Sequence, residues 1–147
     1  MNKIFVLLRI AAGAVFIISG FLKLVQPYQN FLAVINHFQI ISGEPAVWIA
    51  VAMPWIEFIS GVFLALGLWT RISAAALGSL SVLFMSVIGW ALIRRLPIKE
   101  CGCFGENFSL PIEKMIFVDF LLLAAFILLW KAYQHAKQFS LDSLWEE

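Results

Sequence analysis

The sequence predicts an all-α integral membrane protein, a bundle of four transmembrane helices with a short interfacial helix after the first span. Three observations predict it. Hydrophobic residues make up 63% of the 147 positions and charged residues only 13%, with a mean hydropathy of +0.95, which is more apolar surface than one water-soluble core of this size can hide. A helix crossing about 30 Å of hydrocarbon needs roughly 20 apolar residues, so the length has room for four crossings and no separate soluble domain. Trp48, Trp69, Trp90 and Trp130 fall near the ends of the expected helices, where an interfacial aromatic belt belongs. The whole of 1–147 therefore reads as one membrane domain.

The first span is expected at 4–25. Met1-Asn2-Lys3 carries no cleavage pattern of small residues, and the apolar run continues through Arg9 to Val25, so the segment reads as a retained helix. Gly13 and Gly20 are seven residues apart and share a face on which another helix can approach closely. Pro27 ends the span. Residues 28–41 are too polar to cross, but Phe31, Leu32, Ile35 and Phe38 recur at helical spacing, which suits a short helix in the interface. Gly43-Glu44-Pro45 opens the second span, 46–69, and Pro54 should kink it. The third, 72–93, has no charge and is rich in Ala, Gly and Ser, which suits a central position. A polar loop at 94–111 precedes the fourth, 112–130, and the termini then share one side of the membrane.

Charge is uninformative about partners and orientation. The formal net charge is +1, with no basic stripe or nucleic-acid motif, so no nucleic-acid partner is expected. Lys3, Arg9, Arg71, Lys131 and Lys137 fall on or near the side of the termini, and Lys23, Arg94, Arg95, Lys99 and Lys114 on the other. The positive-inside tally is therefore even.

Both cysteines lie in one compact motif, Cys101-Gly102-Cys103-Phe104-Gly105, within the polar loop. A disulfide between cysteines one residue apart closes a strained ring, and strain makes the bond easier to open. Gly102 eases that turn. Lys99 and Arg94-Arg95 favour a thiolate, and Glu100 and Glu106 oppose it. A static loop staple is the alternative reading. Zinc asks for four ligands, and beyond the cysteines the chain offers only His37 and His135, which the four-span arrangement puts on opposite sides of the membrane. No metal site is assigned, although two thiolates suit a soft monovalent copper ion. His37 reads as a surface residue of the amphipathic connector.

Arg9, Lys23, Glu57 and Asp119 are ionisable residues inside the expected spans, where charge is expensive and faces the bundle interior or water. Glu57 and Asp119 are candidates for proton handling or for a clamp between helices. Lys23 is expected to bend toward Asp119 and Arg9 to reach toward Glu57.

Arg9, Gly13, Phe16, Gly20, Lys23-Leu24 and Pro27, then Glu57, Gly61 and Gly67-Leu68-Trp69-Thr70-Arg71, resemble the helix patterns of the DoxX-like membrane proteins over nearly the whole chain. The Cys101–Gly105 loop resembles the branch typified by the methylamine-utilisation protein MauE. The resemblance implies a four-helix fold and association with redox proteins, often thioredoxin-like partners that form or rearrange disulfides outside the cytoplasm. The expected function is thus thiol-disulfide exchange or electron relay through Cys101 and Cys103, with Gly102, Phe104 and Gly105 supporting the motif. A quinone is the candidate cofactor, on the strength of membrane location alone. The bacterial inner membrane is the expected location, with termini cytoplasmic and the cysteine loop outside. A non-enzymatic assembly or chaperone subunit is the alternative from another class. A small transporter using Glu57 and Asp119 is weaker, because no duplicated half is visible. Small residues on the first and third helices permit homodimerisation and internal packing equally.

Overall fold

The structure is a computed structural model that describes residues 2–97 and 111–132. It contains five helices and no strand among the described residues: α1 (Asn2–Val25), α2 (Tyr28–His37), α3 (Glu44–Leu66), α4 (Thr70–Ile93) and α5 (Ile112–Lys131). Three of them, over Lys3–Val25, Glu44–Leu66 and Thr70–Ile93, are long and apolar enough to cross a membrane. The segment expected as a fourth span forms a helix, α5, 20 residues long, but it is not among these three. It carries Glu113, Lys114 and Asp119 in its first half and Lys131 at its end, and that charge separates it from the other three.

The boundaries follow from local chemistry. Pro27, extended at φ −57° and ψ 136°, separates α1 from α2. The expected connector helix stops at His37 rather than Ile41, because Gln39 takes a left-handed backbone conformation, φ 54°. α3 has Pro45 in its first turn, where a missing N–H costs nothing, and it runs on as helix through Pro54. It ends earlier than expected, at Leu66, where Gly67 adopts φ 72°. The Gly67 and Leu68 N–H groups donate to the Leu64 and Phe63 carbonyls at 3.1 and 2.8 Å, satisfying two of the last carbonyls of the helix. Trp69 is also left-handed, φ 46°, so a three-residue turn sends the chain straight into α4, two residues before the expected Ile72.

Two antiparallel pairs make the bundle. α1 packs most extensively on α3, and their backbones nearly touch. A methyl group on Gly13 would lie 2.8 Å from the Gly61 carbonyl oxygen, and one on Gly20 2.7 Å from the Phe58 nitrogen. The face shared by Gly13 and Gly20 is thus the α3-facing seam. α4 packs on α5 along its whole length: the Arg71 guanidinium lies 4.9 Å from the Trp130 ring at one end, and Ile88 and Ala91 meet Ile112 and Met115 at the other. Between the pairs is a core of Ala12, Phe16, Leu64, Leu77, Phe126 and their neighbours. Its Phe16 and Phe126 rings are 5.8 Å apart. Trp48, Trp69, Trp90 and Trp130 are all exposed, as belt residues should be.

Candidate functional site

The close approach at Gly20 determines what Lys23 meets. Gly20 lies against Pro54 and Phe58 of α3. One turn further along α1, Lys23 therefore stands beside Glu57. The Lys23 Nζ donates to Glu57 Oε1 at 2.8 Å and to Oε2 at 2.9 Å. Ser19, one turn earlier on the same face, donates its hydroxyl to Oε2 at 3.0 Å. Both ionic side chains are sealed, at 1% and 0% exposure. The Phe31 and Phe84 rings sit 4.8 and 5.2 Å from the ammonium, so α2 and α4 each contribute an aromatic face to a cation removed from water.

This pairing corrects the expected one. Lys23 joins Glu57 and not Asp119, because α1 and α3 are the pair in backbone contact. Arg9, buried at 1%, is not positioned for Glu57. The register that sets Gly13 on Gly61 and Ala65 carries Arg9 toward the opposite end, where α3 turns into α4 and where Thr70 and Ser73 are also buried. Ten residues of α1 separate Arg9 from Ser19, about 15 Å of helix rise. The four expected intramembrane charges therefore occupy two levels of the bundle.

Asp119 is buried at 1% and lies within electrostatic reach of Lys23 and Glu57. Its Oδ2, like the hydroxyl of the fully buried Ser81, has no hydrogen-bond partner among the described residues. Glu57, by contrast, accepts three hydrogen bonds. The two acids thus differ in kind: one is clamped and one has an oxygen to spare.

Sequence reasoning missed Ser19, Phe31 and Phe84 as members of this layer. Ser19 was findable, since it precedes Lys23 by one turn and shares its face. The aromatic cage was not, because it is assembled from two helices distant in sequence. Cys101, Gly102, Cys103, Phe104 and Gly105, the expected catalytic motif, lie outside the described residues, as does His135. His37 is exposed on α2. Among the described residues no three of His, Cys, Asp and Glu come together as metal ligands.

The family model of methylamine utilisation protein MauE matches residues 1–131. The chain belongs to the MauE family. Membership suggests a membrane protein of methylamine utilisation, in keeping with the three long apolar helices. No curated protein and no solved structure matches the chain. The matched MauE stretch takes in α1 to α5, and so the whole buried charge layer.

Proposed function

We propose that this MauE-family protein is a membrane redox protein in which Cys101 and Cys103 exchange thiols and disulfides with a thioredoxin-like partner outside the cytoplasm. The observation that carries the reading is the Cys101-Gly102-Cys103 spacing, which gives a strained and therefore reducible bond. Its place in the chain supports it. In sequence both cysteines lie between the end of α4 and the start of α5, two helix ends that meet where Phe38, Ile88, Ile112 and Met115 pack together.

Four crossings are part of the proposal. α5 runs beside α4 from Trp130 at Arg71 to Ile112 at Ala91, so a bilayer that α4 crosses is crossed by α5 as well. Its charges agree with that reading: Glu113 and Lys114 are exposed in its first turn, and Asp119 faces inward. The termini then share the cytoplasmic side of a bacterial inner membrane.

In the exchange, a partner thiolate attacks one sulfur of the Cys101–Cys103 bond, and a mixed disulfide forms as that bond opens. The partner's second thiol then resolves it, leaving the partner oxidised and this chain a dithiol. Regeneration removes two electrons and two protons, which a lipid-soluble quinone accepts in becoming a quinol. Glu57, held by three hydrogen bonds, acts as the clamp, and Asp119 is the acid placed to pass a proton. Thiol trapping in intact cells with a membrane-impermeant alkylating reagent tests this. Labelling that appears only after mild reduction, together with a mixed-disulfide adduct in one of Cys101→Ser or Cys103→Ser, is the expected result. Thiols that stay reduced on the cytoplasmic side, or full function in the double serine variant, would replace this reading with that of an assembly subunit.

A further inference from the structure

A groove of about 190 Å³ runs between α4 and α5 on their outer side, near the end where α4 begins. It exists because α4 offers only Ala74, Ala75 and Gly78 there, while Phe126 and Ile127 of α5 form the facing wall. A methyl group on Gly78 would still be 3.6 Å from the nearest Phe126 atom, so the helices do not close over the gap. The wall is hydrocarbon as far as its mouth, where Trp130 and Lys131 line it. The Arg71 guanidinium stands 4.9 Å from the Trp130 ring and brings a second cation to the same mouth.

Depth and charge narrow the occupant. α4 is long and apolar enough to cross a membrane, and Arg71 is its second residue. Counted from Thr70 at the helical rise, Ala74 lies about 6 Å and Gly78 about 12 Å inward. The polar zone on each face of a bilayer is about 5–8 Å thick, so with Arg71 among the headgroups the groove lies among the acyl chains. The acidic side chains of the described residues are elsewhere: Glu44 and Glu113 stand at the opposite end, and Glu57 and Asp119 are buried. The start of α4 adds to the positive field. Its first turn holds no acidic residue and Trp69 supplies no side-chain cap, so the positive end of the helix dipole falls at the same place.

We propose that this groove binds an anionic phospholipid, with one acyl chain laid between α4 and α5 and the phosphate held between Lys131 and Arg71. The groove alone would take a chain of any lipid, and selection resides at its mouth. Two cations and a helix N-terminus attract a headgroup of net negative charge, whereas a zwitterionic headgroup also brings an ammonium that they repel. Arg71 presents a planar fork of N–H donors that matches phosphate oxygens, and Lys131 a point charge. Trp130 beside them belongs at this level of the membrane. The site makes no use of Cys101 or Cys103, so it stands apart from the redox reading.

The experiment is native mass spectrometry of the full chain released from mixed micelles that hold dioleoyl phosphatidylglycerol and dioleoyl phosphatidylethanolamine in equal amounts. Phosphatidylglycerol adducts should exceed phosphatidylethanolamine adducts by about twentyfold, from two cations at about fivefold each. Lys131→Gln and Arg71→Gln should each cut the phosphatidylglycerol adduct by about fivefold, and the double variant should take up both lipids alike. Ala75→Phe, at an exposed position, should cut it by about tenfold, since the ring fills the chain's place and leaves the charges intact. Arg94→Gln/Lys114→Gln, at the other end of the helix pair, should leave it unchanged, and unfolding temperatures should confirm that the variants are folded. Equal uptake of the two lipids by the wild type, the same loss from the Arg94→Gln/Lys114→Gln variant, or undiminished adducts in folded Ala75→Phe overturns the site. An excess of inorganic phosphate should not compete, and competition would replace the lipid with a free anion.

Discussion

The two helix pairs of this bundle are held by opposite means. α1 and α3 meet through Gly13, Gly20 and Gly61, backbone on backbone, and seal an ion pair between them. α4 and α5 meet through side chains: a methyl group on Gly78 would stand an ordinary 3.6 Å from Phe126 Cβ, and Leu77, Phe126 and Leu129 fill the space. In lipid, apolar side chains gain little by leaving other apolar surroundings, so close packing and polar contacts must drive association. The glycine seam uses both. The side-chain seam has packing, and its buried acid, Asp119, is bonded to nothing through Oδ2 among the described residues. Backbone contact and the Lys23–Glu57 ion pair thus coincide at the α1–α3 seam.

If that contrast is right, substitutions at matched positions should have very unequal effects in denaturant titrations of the purified protein in mixed micelles. Gly20→Val should be the most damaging. Its side chain would press on the Phe58 nitrogen and the Pro54 carbonyl, atoms that cannot swing aside, and would part the ion pair as well. A loss on the order of 5 kcal/mol is expected. A Gly20→Val protein as stable as wild type would mean that the seam is looser than described.

Next comes Glu57→Leu, which strands the Lys23 ammonium in the interior and should cost about 3–5 kcal/mol. Adding Lys23→Met should return most of the loss, because the pair is removed together. Failure of the second substitution to rescue would show that Lys23 has a further role. Ser19→Ala removes one hydrogen bond to a carboxylate and should cost about 1.5–3 kcal/mol. At the other seam, Gly78→Ala should be neutral or stabilise by up to about 1 kcal/mol, since alanine is the better helix former and space exists for its methyl. A large loss there would erase the distinction between the seams.

Particular residues show what was legible in the sequence. Helix positions were, because proline and glycine punctuate long apolar runs. Gly13 and Gly20 announced a close approach, and Arg9, Lys23, Glu57 and Asp119 announced buried charge. Who pairs with whom was hidden. Depth below a membrane surface is readable from residue count, but Lys23 meets Glu57 because of which helices touch, and that follows from the Gly20 approach to Phe58. The early end of α3 was hidden for a different reason. Leu68 and Trp69 extend the apolar run past Gly67, and hydropathy does not register a left-handed turn. Phe31, read as part of an amphipathic stripe, proved to cap a cation as well.

The α1–α3 seam also bears on how the chain enters its membrane. Lone charged side chains such as Lys and Asp at the centre of an inserting helix cost about 2.5–3.5 kcal/mol each on insertion scales. A nascent chain that has emerged as far as Leu66 already contains Ser19, Lys23 and Glu57 with both glycine faces. The two helices can leave the insertion machinery as one hairpin with its opposite charges mutually neutralised. Both partners of the buried ion pair thus precede α4 and α5 in the chain, so that their opposite charges can offset each other within the first hairpin.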